Sequence, residues 1–323
     1  VARLAGIYGP GRSFLLRNLL EKKSVIEGND GQGRIINQIH RDDAASALAY
    51  LITHQLTGIY NVVDDQPQTQ AATYSWLVPK FGQAMPPSLD TPAADRKRGW
   101  THKAVSNAKL RAAGWAPRYA NYQRAVEQDP QLVSSILQGM LDDGIAIPRL
   151  HNIIIIGLMG CGKSTVGRIA ASKLGYQFAD TDHIVCAESL STIPKIFERE
   201  GEAGFRNRES SALRRLLGSK GHVIATGGGI ITQPVNLPLL KHLGFIVWLE
   251  ADPQVLAART ASNHDRPLLN EENPQAKLER LLTSRRDFYA QLADLRIQTD
   301  ELSPNESAIG VIESARSFFL QHS

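Results

Sequence analysis

Four isoleucines, Ile153 to Ile156, run straight into Gly157-Leu158-Met159-Gly160-Cys161-Gly162-Lys163-Ser164, and a helical pattern follows from Lys163 to Leu174. This is G-x-x-x-x-G-K-[ST] set between a buried strand and a helix, the context in which successive backbone N–H groups converge on phosphate oxygens. Glycines let the backbone turn that tightly, and the helix N-terminus adds positive potential. The Lys163 ammonium is placed to reach β- and γ-phosphates, and the Ser164 hydroxyl to serve a Mg²⁺ ion. A nucleoside triphosphate site therefore constrains the chain more than any other feature.

Beyond this turn, short apolar runs alternate with helical stretches. GYQFADTD, HVIAT, FIVWLEA and Leu295 to Gln298 read as strands, and STIPKIFEREG, Pro253 to Arg259, Gln275 to Leu292 and a C-terminal segment read as helices. Continuous apolar strands alternating with helices imply an α/β fold whose parallel sheet is covered on both faces. At 323 residues the chain is long enough for roughly two domains. The clearest change of composition falls in EQDPQLVSSILQGMLDDGIAIPRLHN, so residues 127–150 are expected to be a linker, with 1–126 before it and 151–323 after it.

Composition narrows the function classes. Lys+Arg 36 against Asp+Glu 32 leaves a net charge of only +4, spread along both halves, which is weak evidence for nucleic acid and fits an anionic small molecule equally well; no nucleic-acid partner is expected. No apolar run approaches the roughly 18 residues needed to span a bilayer, so no membrane partner is expected. The two cysteines, Cys161 and Cys186, make neither a disulfide framework nor a zinc site, and a reduced, cytoplasmic setting is expected. The chain opens on Val1 within an apolar stretch, VARLAGIYG, which leads us to expect that its natural beginning lies upstream.

Several further segments carry acceptor-side chemistry. Asp180-Thr181-Asp182 ends a strand, where ligands collect in a parallel sheet, and two carboxylates at i and i+2 are expected on one side. One suits a metal reached through water; the other suits a hydroxyl that must be oriented and deprotonated. In Gly204-Phe205-Arg206-Asn207-Arg208-Glu209 a carboxylate three residues after Arg206 lies on the same helix face and can hold the guanidinium. Thr226 leads into Gly227-Gly228-Gly229, which allows a ligand to lie against the backbone. Arg259 ends a helix, Arg266 stands in the polar loop before Pro267-Leu268-Leu269, and Arg285-Arg286 is an arginine pair on a helix. A loop arginine of this kind suits a closing lid over phosphates.

Taken together, in this order and spacing, residues from about 150 to 323 resemble shikimate kinase, a compact P-loop kinase of the nucleoside-monophosphate-kinase type with three α/β/α layers. The resemblance implies transfer of a phosphoryl group from ATP, with Mg²⁺, to the 3-hydroxyl of shikimate, on the route to chorismate and the aromatic amino acids. It implies that Gly160, Cys161, Gly162, Lys163, Ser164 and Thr165 form the nucleotide site and that Ser164 and Asp180 serve the metal. Asp182 would bond the acceptor hydroxyls, Arg206 and Arg285 would clamp the substrate carboxylate, and Gly227, Gly228 and Gly229 would lie along the substrate. Arg266 would be the lid arginine, Arg259 would lie near the phosphates and Pro304 by the adenine. Lys163, Asp182 and Arg266 are thus the catalytic candidates. Where many members have Glu and Gly, this chain has Cys186 and Leu190. A gluconate kinase-like enzyme is the alternative, disfavoured by the joint presence of DTD, GFRNRE, TGGG and RPLL. A monomeric kinase half is expected; the oligomeric state of the whole chain is left open.

In the first half, RLAGIYGPGRS, INQIHRDDAASAL, YNVVDDQPQTQ and KAVSNAKLRAAGWAPRY resemble the C-terminal part of the NAD-dependent epimerase/dehydratase group, the extended short-chain dehydrogenases. The resemblance implies a partial Rossmann-type region over 1–126, from a longer fusion or a degenerate remnant. The family's G-x-x-G-x-x-G turn is missing from the chain, and no Tyr has Lys four residues later. No catalytic residue is therefore expected here, and an NAD-linked fusion remains an alternative for the chain as a whole. His40, Arg41 and Asp42 stand where a strand end meets a helix cap, with Asp42 or Asp43 as the expected cap and Ala45, Leu48, Leu51 and Ile52 on one helix face. Exposed apolar surface and poor packing are expected in this half.

Overall fold

The computed structural model describes residues 1–27, 33–89, 103–261 and 273–321. It divides into two units, Val1–Pro148 and Arg149–Ser323. Among the described residues no helix is long and apolar enough to cross a membrane.

In the second unit five strands form one sheet in the order Gln177–Asp180, His222–Ala225, Ile153–Ile156, Phe245–Glu250, Leu295–Gln298, every pairing parallel. All four residues of Ile153–Ile156 and all six of Phe245–Glu250 are buried. A strand can bury successive side chains only if both faces of the sheet are covered. The helices Lys163–Leu174 and Pro304–Gln321 pack on each other, and Leu237–Leu243 and Pro274–Leu292 pack against the sheet. The first strand lies between the third and fourth, so the chain reverses direction across the sheet beside it. In such sheets ligands bind outside the strand C-termini at that reversal.

Two differences from the sequence expectation concern helices. Gln177–Asp180 stops at Asp180, and a separate helix, Thr181–Ser189, starts at once because the Asp180 carboxylate accepts from the Asp182 N–H at 3.0 Å and caps it. Asp180 and Asp182 are therefore strand end and first helical turn, not neighbours on one strand face. The helix beginning at Ile193 runs to Arg215 with a kink at Gly201, so STIPKIFEREG and GFRNRE belong to one bent rod.

Among its described residues the first unit carries four separate two-stranded pairings. Ala2–Leu4 pairs with Tyr60–Val62, and Gly6–Tyr8 pairs with Gln38–His40, both parallel. A core nonetheless forms from Ile39, Ala44, Ala47, Val62, Leu110 and Trp115. It corrects the expected helix face. In Arg41–Thr53 the buried positions are Asp43, Ala44 and Ala47, while Ala45 and Leu48 are exposed and Ile52 is 76% exposed. Small alanines let Trp115 and Leu110 approach, so Leu48 and Ile52 are left pointing outward. The cap is His40 rather than either aspartate: its Nδ1 accepts from the Asp42 N–H and its Nε2 pairs with Asp129 at 2.9 Å. Asp43 instead accepts the backbone N–H groups of Arg118 and Tyr119.

The segment expected as a linker is also structured. Residues 132–142 form the helix Leu132–Asp142, whose Leu132, Val133, Ile136, Leu137 and Met140 are buried. Their spacing is an apolar helical face, which needs a core to cover it, and the helix belongs to the first unit.

Candidate active site

Outside the C-terminal ends of the five strands lies a cavity of about 690 Å³. The phosphate turn forms one wall. Gly162, with φ of 93°, caps the helix Lys163–Leu174 in a conformation that a side chain would oppose. The Lys163 side chain is buried inside the turn, donating to the Gly157 carbonyl at 2.9 Å and the Leu158 carbonyl at 2.7 Å. An ammonium held this way is poised for anions in the cavity. Gly160, Cys161, Gly162, Ser164 and Thr165 line the same wall; the Cys161 thiol is buried beside the ammonium, 3.8 Å from Lys163 Nζ.

Next to it, Ser164 Oγ donates to Asp180 Oδ2 at 2.6 Å. Two hard oxygen donors at the foot of a phosphate turn are the donor type that Mg²⁺ takes, with its remaining positions filled by water and phosphate. No cluster of three or more His, Cys, Asp or Glu suited to a metal exists among the described residues.

The opposite wall is built around the glycine turn after His222–Ala225. The Gly227 N–H donates to Thr181 Oγ1 at 2.9 Å, tying the turn to the helix that carries Asp182. A side chain at Gly227 would strike Glu209 Oε1 and lie 2.7 Å from Asp182 Oδ1, and one at Gly229 would enter the Arg206 guanidinium. Backbone and charged groups thus meet at a distance only glycine allows. Arg206, on the bent helix, donates to Glu209 Oε2 at 2.5 Å and to Glu202 Oε1 at 2.9 Å. From the helix Pro274–Leu292, Arg285 donates to the Gly228 carbonyl at 3.2 Å. Two buried guanidiniums therefore flank one turn, with the Asp182 carboxylate beside it, a geometry that receives an anion bearing hydroxyls.

At the far end Arg259 donates to the carbonyl of Thr299 at 2.8 Å and to its hydroxyl at 3.2 Å. With Thr299 and Pro304 it lines the cavity where the last strand ends. Arg259 is thus bonded to Thr299 of the strand-end loop while lining the cavity that the phosphate turn also lines. Lys163, Asp180, Asp182, Arg206, Gly227 to Gly229, Arg285 and Pro304 share that cavity. Arg266 lies outside the described residues. Arg286, neighbour to Arg285, turns away and pairs with Glu250 at 3.3 Å.

Other contributors were given no role by the sequence reading. Ile193, Phe197 and Phe205 supply an apolar wall, Thr181 holds Gly227, and Tyr289 donates to the Gly228 carbonyl at 2.6 Å. Their types are common in any core, and only the three-dimensional arrangement marks them. Cys186 also lines the cavity, its thiol pushed up by burial and then by Asp182, which disfavours the thiolate.

A shikimate kinase family model matches residues 159–316. The shikimate kinase of Symbiobacterium thermophilum is 43% identical over 164 residues, covering 50% of this chain and 94% of the relative. That of Cupriavidus pinatubonensis is 47% identical over 152 residues, covering 47% of this chain and 79% of the relative. A solved structure, the Acinetobacter baumannii shikimate kinase in complex with shikimate, is 42% identical with a TM-score of 0.51, covering 53% of this chain and 96% of that one. The residues matched by the family model include Gly160 to Thr165, Asp180, Asp182, Arg206, Gly227 to Gly229 and Arg285. Through its second unit, this chain belongs to the shikimate kinase family.

Proposed function

We propose that the second unit transfers the γ-phosphoryl group of ATP to the 3-hydroxyl of shikimate, giving ADP and shikimate 3-phosphate. The observation that carries this reading is that Arg206, Arg285 and Asp182 gather around the glycine turn in the cavity that the phosphate turn also lines. A substrate with one carboxylate and several hydroxyls matches that arrangement, and the family's solved complex contains such a molecule.

The chemistry asks little of the protein beyond placement and charge. Lys163 and the N–H groups of the turn hold the β- and γ-phosphates. Asp182 accepts a hydrogen bond from the acceptor hydroxyl, whose oxygen attacks γ-phosphorus as the bond to the bridging β–γ oxygen breaks and the proton passes to the carboxylate. Arg206 and Arg285 hold the substrate carboxylate and so aim that hydroxyl. Ser164 and Asp180 would hold Mg²⁺, which when bound supplies neutralisation of phosphate charge. Arg259, Thr299 and Pro304 form the nucleotide's far end, and Arg266 takes the lid role by family resemblance.

For residues 1–126 the reading is a partial epimerase/dehydratase-like region. Its parallel strand pairings and the segments RLAGIYGPGRS and INQIHRDDAASAL support it, and no activity is assigned there.

The test is coupled ADP release from ATP and Mg²⁺ with shikimate or gluconate, using the wild type and Asp182→Asn. Shikimate-dependent release that collapses in the variant supports the proposal; release with gluconate alone, or with neither acid, overturns it.

A further inference from the structure

Tyr289 has no part in the chemistry above, yet its phenol reaches the turn on which the acceptor lies. It is 1% exposed, and its hydroxyl donates to the Gly228 carbonyl at 2.6 Å. Arg285, four residues earlier on the same helix and therefore on the same face, donates to that carbonyl at 3.2 Å. A carbonyl oxygen offers two lone pairs, so the two donors together fill it. The ring is set by the sheet: it stacks on Trp248 of the Phe245–Glu250 strand, with centroids 5.5 Å apart and planes at 21°. Trp248 in turn lies 5.0 Å from the Arg296 guanidinium, which pairs with Glu250. Burial pushes the Tyr289 hydroxyl above its ordinary range, keeping it a donor at all working pH.

The consequence concerns Arg285. If Gly228 offered a free lone pair, a guanidinium with five donors would turn further onto it and away from the cavity. We propose that Tyr289 is a positioning residue for the acceptor: its hydroxyl occupies the Gly228 carbonyl, fixes the glycine turn to the sheet, and leaves Arg285 directed at the substrate carboxylate. The inference rests on the shikimate reading above.

Tyr289→Phe removes the donor and keeps the ring stacked on Trp248. KM for shikimate is expected to rise about fivefold to tenfold, the effect of one lost neutral hydrogen bond, while kcat and KM for ATP stay within about twofold. In an Arg285→Ala background the same substitution is expected to change KM for shikimate by less than about twofold, because the group it positions is gone. A merely structural role would multiply equally in both backgrounds and would raise KM for ATP as well. An active wild type with unchanged shikimate KM in Tyr289→Phe, or full additivity in the double variant, overturns the inference alone. A wild type that releases no ADP with shikimate overturns the functional reading and this inference with it.

Discussion

The Arg206 guanidinium donates to Glu209 Oε2 at 2.5 Å, while Oε1 of the same carboxylate has no hydrogen-bond partner among the described residues. Burial pushes the Glu209 carboxyl up to about 7, Arg206 holds it back, and Asp182 adds to the rise. A carboxyl raised above its ordinary 4.5 contributes stability that is fully present below that value and lost as pH rises through about 7. Glu209→Gln keeps an acceptor for Arg206 but does not titrate. Its Tm relative to wild type is expected to be higher at about pH 8 than at about pH 5. Thermal melts at the two pH values check this, and a constant difference would show that Glu209 is ionised throughout.

Lys163 is the buried cation of the phosphate turn, held by two carbonyls. Lys163→Met keeps the length of the side chain and removes the charge. Turnover is expected to fall at least about 100-fold, in the range found when one preorganised donor to a developing charge is lost. Circular dichroism of the variant should remain that of the wild type, so that the loss reads as chemistry rather than unfolding.

At Gly227 a methyl group would strike Glu209 Oε1 and approach Asp182 Oδ1. Glu209 cannot retreat freely, being 1% exposed and bonded to Arg206. Gly227→Ala should therefore displace the acceptor-side groups and leave the nucleotide wall alone. A displacement of about 1 Å is enough for a loss near 100-fold in kcat/KM for shikimate. Steady-state kinetics with each substrate varied in turn would test it; an equal loss for ATP would refute the local explanation.

How much of this was legible in the sequence follows from the range of the interactions involved. The phosphate turn was readable because its chemistry is contiguous: Gly157 to Ser164, flanked by Ile153–Ile156 and the helix from Lys163. Arg206 and Glu209 were readable as an i, i+3 pair. Tyr289 and Thr181 were not, because what marks them is a bond to a turn 61 or 46 residues away along the chain. In the first unit the apolar residues of Arg41–Thr53 gave the wrong face. Periodicity cannot tell which side a Trp115 arriving from far along the chain will occupy, and alanines proved the closer fit. The Leu132–Asp142 helix was hidden for a related reason: short polar interruptions, Gln138 and Gly139, resemble linker composition although the buried spacing is helical.

At Leu190 the family resemblance leads one to expect glycine, and the backbone there takes a glycine-like conformation. It ends the helix Thr181–Ser189 with φ 48° and ψ 38°, in the left-handed region, and its side chain is 93% exposed. The left-handed conformation crowds a Cβ against its own carbonyl by roughly 1–2 kcal/mol. A leucine this exposed recovers almost none of that through burial. Leu190→Gly should relieve the strain, offset in part by the greater freedom of glycine in the unfolded chain, for a net gain of about 0.5–1 kcal/mol. The measurement is denaturant unfolding of the wild type and the variant, read from the transition that includes the second unit. Activity should not suffer, because Leu190 does not line the cavity. A fall in stability would mean that the leucine is covered in solution, and that the helix end depends on that contact more than on its backbone.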